Sequence, residues 1–80
     1  MNKEELLKRY ADGERDFSGI SLVDANLANT DLSGIEFSGA DLRGAKLRET
    51  NLSGAALASS NLSTANLSRA NLSNACLEEA

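Results

Sequence analysis

Histidine, proline and tryptophan are absent from this chain of 80 residues, cysteine occurs once, and the aromatics are Tyr10, Phe17 and Phe37. Each shortage removes a class of function. Without histidine the usual general base and the commonest metal ligand are missing. A single thiol, Cys76, cannot close an internal disulfide, so the oxidised secreted miniproteins are excluded and a reducing cytoplasm is the expected location. So few aromatics furnish neither an ordinary globular core nor a platform for stacked bases. No apolar run reaches the ~18 residues of a membrane span, and the opening MNKEELLKRY is too charged for a signal-peptide core. The formal charge is −4, and residues 1–15 balance four acids against four bases, so the whole excess lies beyond Arg15. Nucleic acid, which needs a basic face, is not an expected partner, and neither is a membrane.

What is present is a period of five. Phe17, Leu22, Leu27, Leu32, Phe37, Leu42, Leu47, Leu52, Leu57, Leu62, Leu67, Leu72 and Leu77 recur without a gap. In an α-helix a step of five advances roughly 140° and scatters these side chains around the circumference. In a straight strand an odd step sends alternate leucines to opposite faces. A backbone that turns a corner within each pentad brings them all to one axis, with successive coils stacked on each other.

The rest of the pentad agrees. Two residues before each large apolar position stands a smaller one, as at Ile20, Ala25, Ile35, Ala40 and Ala55, and the hydroxyls of Thr30, Thr50 and Ser60 in this register need a backbone partner. The residue just before the leucine is often Asn or Asp (Asp16, Asn26, Asp31, Asp41, Asn51, Asn61, Asn66, Asn71), types that bond nearby backbone in turns. The last two positions favour Ser and Gly, as in Ser33-Gly34 and Ser53-Gly54, which places the corners there.

The units ANLAN, ADLRG, TNLSG and ANLSR resemble the A-(D/N)-L-x-x unit of the pentapeptide-repeat family, over residues 15–80. That resemblance implies an all-β solenoid: a right-handed quadrilateral β-helix of a little over three coils with four pentads in each. Residues twenty apart then lie above one another, Phe17 on Phe37 and Thr30 over Thr50. The residues themselves leave four sides against three open, since Ile20 and Ile35 are fifteen apart.

Residues 1–14 read as a separate capping segment and 15–80 as the β-helix. Asn2 with Glu5 resembles a capping box, Leu6, Leu7, Tyr10 and Ala11 share one helical face, and Gly13 suits the position after a helix end, which predicts a helix over 3–12. Its apolar face should cover the first coil, because terminal repeats in stacked arrays need shielding. The stretch LLKRYADGERDF is also similar to the leader of many cyanobacterial members of the family. The C-terminal end, LEEA, shows no such cover. Three readings stand for it: Glu78 and Glu79 as charged guards against stacking, a homodimer through paired C-terminal edges, or a longer solenoid.

Chemistry is hard to find. Cys76 should face outward beside Glu78 and Glu79, which oppose a reactive thiolate. Asp16 over Glu36 pairs two carboxylates on a convex wall with no cleft to desolvate them. Arg43, Lys46 and Arg48 form the one basic cluster, too small for a nucleic-acid footprint. The column Ser33, Ser53, Ser73, beside Asp31, Asn51 and Asn71, reads as a solvated wall. The four N-x-S sequons at Asn51, Asn61, Asn66 and Asn71 follow from the repeat itself. No residue is assigned a catalytic, cofactor-binding or metal-ligating role and no cofactor is expected. The expected function is a non-enzymatic structural scaffold or protein-interaction module. The alternative implied by the family is a DNA mimic that binds a type II topoisomerase, gyrase, and a third class is ice or mineral binding by a flat wall.

Overall fold

The computed structural model describes residues 1–80, and its one helix, α1, runs Lys3–Ala11. Asn2 caps it by accepting the Glu5 amide at 2.8 Å. Only half of the anticipated capping box forms, because the Glu5 carboxylate swings along the helix to Arg9, 2.7 Å away, instead of back to Asn2. The helix ends one residue before the expected boundary, with Asp12 as its C-cap. The Gly13 amide reaches Tyr10 O and the Glu14 amide Arg9 O, the paired bonds of a Schellman ending, and Gly13 takes the positive φ of +99° that this ending requires.

Beyond Arg15 every bridge joins residues twenty apart in parallel: Asp16 to Glu36 to Ala56 to Cys76 in one column, Ser21 to Asp41 to Asn61, Asn26 to Lys46 to Asn66, and Asp31 to Asn51 to Asn71 in the others. Four pentads therefore make one coil, and each corner turns the chain through a quarter of a circle. The bridges are isolated, because a corner in every pentad leaves no side long enough for a continuous strand.

Where an Asn or Asp leads the pentad and the corner closes, all five backbone N–H groups are accounted for. Take Asp41 to Ala45. The Asp41 amide donates down to Ile20 O, the Leu42 amide up to Asn61 O, and the Gly44 amide up to Ser63 O. The Arg43 amide is taken by the Asp41 side chain at 3.2 Å, and the Ala45 amide closes the corner on Leu42 O. All eight Asn and Asp residues before the inward leucine or phenylalanine make this bond to the amide two residues on, from Asp16 to Ser18 through Asn71 to Ser73. Their preference at that position is a hydrogen-bonding requirement.

The fourth residue of every pentad has positive φ, which type II turns require at their third residue. Glycine fills some of these positions, and Asp24, Asn29, Glu49, Ser59, Thr64, Arg69, Asn74 and Glu79 fill the rest.

The leucines and phenylalanines converge on the axis. Phe17 to Leu57 are buried, with Ile35, Ala40, Ala45 and Ala55 between them. Phe17 and Phe37 meet edge to face, ring centroids 6.5 Å apart. The interior hydroxyls all find carbonyls: Thr30 donates to Ala28 O, Ser60 to Leu57 O, and fully buried Thr50 to Leu27 O in the coil below at 2.7 Å. The corner at residues 27–30 lacks its usual closing bond to Leu27 O, and the Thr50 hydroxyl is bonded there.

Helix α1 lies across the first coil. Leu6 is wholly buried in the solenoid core, Leu7 and Tyr10 pack beside it, and the Tyr10 hydroxyl donates to Ser33 O at 2.6 Å. Arg15 locks the junction, its guanidinium 3.7 Å above the Tyr10 ring and bonded to Tyr10 O at 2.8 Å.

Candidate functional site

The last coil has no counterpart to α1. Leu62, Leu67 and Leu72 are only partly buried and Leu77 is 44% exposed, whereas the leucines of the coil below are fully covered. Each side of a coil sends two amides upward, from its leucine and from its positive-φ residue, and offers one carbonyl, from the residue after the corner. In the last coil none of these groups is paired. The amides are those of Leu62, Leu67, Leu72 and Leu77 on the four sides and of Thr64, Arg69, Asn74 and Glu79 at the corners. The carbonyls are those of Ser60, Ala65, Ala70 and Ala75. The edge thus holds two donors for every acceptor around a half-covered leucine floor, with a shallow step lined by Ser60 to Ser63, Glu79 and Ala80.

The unpaired backbone groups of this edge are rich in donors, as are those at the start of a helix. Glu78 and Glu79, which the sequence singles out as charged guards, stand on the corner beside it. Two such edges brought face to face would leave at least half of these donors without an acceptor.

The other residues singled out in the sequence are dispersed. Asp16 and Glu36 are in register but both exposed, and the Asp16 carboxyl is held below its ordinary value by the Ser18 amide. The Ser33 amide does the same to Asp31. Arg43 is paired to Asp41 at 2.8 Å, and that contact lowers the Asp41 carboxyl and raises the guanidinium. Arg48 leans toward Glu49 at 3.6 Å while Lys46 stands in a column between Asn26 and Asn66, so the basic cluster is split by pairing. Cys76 is free and exposed on the column above Ala56. The serine wall is tied down from within, since the amides of Ser33, Ser53 and Ser73 are bonded to their own Asp or Asn. No group of three or more acidic, cysteine or histidine side chains comes together as a metal site, and no helix is long and apolar enough to cross a membrane. Sequence reasoning located the open edge but not its donor excess, which is a property of backbone orientation that no residue type announces.

The family model for pentapeptide repeats matches residues 20–57 and 45–80, in eight copies. Among solved structures, HetL from the cyanobacterium Nostoc sp. strain PCC 7120, a pentapeptide repeat protein involved in heterocyst differentiation regulation, is 39% identical over 96% of this chain with a TM-score of 0.78. The chain spans 35% of the length of that structure. The pentapeptide repeat protein alr5209 from Nostoc PCC 7120 is 40% identical over 95% of this chain and 75% of its own, with a TM-score of 0.47. No curated protein is similar enough to this chain to count as a relative.

Proposed function

The chain belongs to the pentapeptide-repeat family, whose members share a right-handed β-helix, and from that premise we propose that it acts as a non-enzymatic protein-interaction scaffold whose walls present side chains at fixed spacing. The observation that carries this reading is the regular wall: parallel bridges between residues twenty apart hold outward side chains in straight columns, Asp16, Glu36, Ala56 and Cys76 on one side and Asp31, Asn51 and Asn71 on another. The partner expected is a protein, and the expected setting is cytoplasmic. The likeness to HetL, a pentapeptide repeat protein, supports a role by contact with other proteins. The walls are fixed by their own side-chain bonds, which keep the spacing rigid. Gyrase binding by DNA mimicry would need continuous acidic columns, and Asp16 and Glu36 give way to Ala56 and Cys76.

The test compares two single variants for the partners each retains in crosslinking. Lys46→Glu reverses a charge on an exposed wall, and Leu77→Lys changes a side chain of the last pentad that is 44% exposed. Partners lost with Lys46→Glu and kept with Leu77→Lys are the expected result. Partners that persist with Lys46→Glu and vanish with Leu77→Lys take the function off the walls.

A further inference from the structure

The fold regroups charges that stand together in the sequence. Arg43, close to Lys46 and Arg48 along the chain, turns onto the preceding side of the coil and is taken by Asp41. Arg69 comes in its place: the twenty-residue step sets Lys46 between Asn26 and Asn66 and brings Arg69 one coil above Glu49. Residues 26–29, 46–49 and 66–69 thus form one wall with three cations, Lys46, Arg48 and Arg69, against one acid, Glu49. That wall is +2 in a chain of −4, so everything outside it sums to −6. The opposite wall carries Asp16, Glu36, Glu78 and Glu79 with no base.

The polar groups of the cationic wall are donors whose local acceptors are already spent. The side-chain oxygens of Asn26 and Asn66 accept the amides of Ala28 and Ser68, which leaves their NH2 groups to the surface. Lys46 stands where other pentads carry an accepting Asn or Asp, so the Arg48 amide has no intramolecular acceptor. Arg48 and Arg69 approach the Glu49 carboxylate at 3.6 and 4.0 Å, too far for hydrogen bonds, so both guanidinium forks keep their donors. All three cations are exposed.

Resting on the reading of the walls as contact surfaces, we infer that this wall receives an acidic segment of a partner protein, whose carboxylates are taken by Lys46, Arg48 and Arg69. Guanidinium forks bind carboxylates through two parallel bonds. The backbone sets the cations roughly 5 Å apart up the wall and roughly 7 Å apart along it, a spacing that closely set carboxylates can match. Single exposed pairs are weak, so recognition comes from meeting all three cations at once. A nucleic acid fits less well, because its charge continues past the wall onto acidic sides and three cations neutralise too few phosphates.

The test titrates hexaglutamate, and short duplex DNA as a second probe, into the isotope-labelled chain while amide resonances are followed by NMR in physiological salt. There the Debye length of about 8 Å is well below the 23 Å width of the molecule, so opposite walls act separately. Arg69→Glu and Arg43→Glu change the net charge equally, one on this wall and one on the neighbouring side. Glutamate already takes the positive φ of the corner at Glu49 and Glu79, so Arg69→Glu keeps the backbone. The expected result is hexaglutamate shifts confined to residues 26–29, 46–49 and 66–69, with affinity reduced about fivefold or more by Arg69→Glu and less than about twofold by Arg43→Glu. Equal loss in both variants overturns the inference in favour of unselective charge attraction. Tighter binding of DNA at the same residues overturns it in favour of nucleic acid. Shifts on this wall and the opposite one that grow with protein concentration in the absence of a probe overturn it in favour of self-pairing, and no shift with hexaglutamate removes the acidic partner. Each of these leaves the scaffold reading standing, which falls only on the separate crosslinking comparison of Lys46→Glu with Leu77→Lys.

Discussion

Strain sits at the corners, and it is unequal from one corner to the next. Along the column Asp24, Gly44, Thr64, the same positive-φ position is filled by an acid, a glycine and a β-branched residue, with φ of 59°, 67° and 58°. A β-branched side chain is the least suited to this region. Thr64→Gly is expected to stabilise by about 1 kcal/mol, and Gly44→Ala to cost about 1–2 kcal/mol, since the carboxylate of Asp24 also occupies the place of the new Cβ. Thermal melts of the two variants should move in opposite directions, and a lowered Tm for Thr64→Gly would refute the assignment of strain. The acids before the leucines make a second test. Asp16 and Asp31 have carboxyls held low by the amides of Ser18 and Ser33 in the folded chain, so their contribution is present above the unfolded value of about 3.9 and is lost as pH falls through the lower folded value. Melting temperature should be flat between about pH 7 and 5 and drop below about 4. Asp31→Asn should keep the turn, as Asn51 and Asn71 show, and flatten part of that acid decline. An unchanged acid profile in that variant would place the proton uptake elsewhere.

At the scale of elements, α1 is too short to stand by itself and owes its stability to what it covers. Leu6 is its buried anchor, and Leu6→Ala should cost about 2–5 kcal/mol as a cavity opens over the first coil. Tyr10→Phe removes the hydroxyl's contacts with Ser33 O and Oγ and should cost about 1 kcal/mol. Chemical denaturation separates the two, and equal losses would mean that the Tyr10 hydroxyl holds the helix as firmly as Leu6 does. The helix was legible because Asn2, the leucine pair and Gly13 mark its start, face and stop in one short stretch. The fate of Glu5 was not, since the choice between the cap and Arg9 depends on side-chain geometry along the finished helix.

Across the whole molecule each coil touches only its neighbours, so stability should fall toward the uncovered end as in other stacked arrays. The amides of Leu42 and Leu47 lie between coils on both sides, and those of Leu67 and Leu72 are unpaired. Hydrogen exchange on the unmodified chain should be slowest at the former and near the free-peptide rate at the latter. Uniform protection along the solenoid would mean that the chain opens as one unit.

The sequence by itself determined that this chain is a solenoid, because no helix or strand can bring thirteen large apolar residues at a step of five to one side. It also determined the cap, the inward column and the Asn and Asp turns, all of which follow from residue type at fixed spacing. Only the tertiary structure decided that a coil has four sides, since the angle turned at each corner depends on backbone torsions that Ser, Gly, Asn and Thr satisfy alike. Only the tertiary structure gave the open edge its sense, two amides for each carbonyl, because every residue carries one of each and the fold alone chooses which way they point.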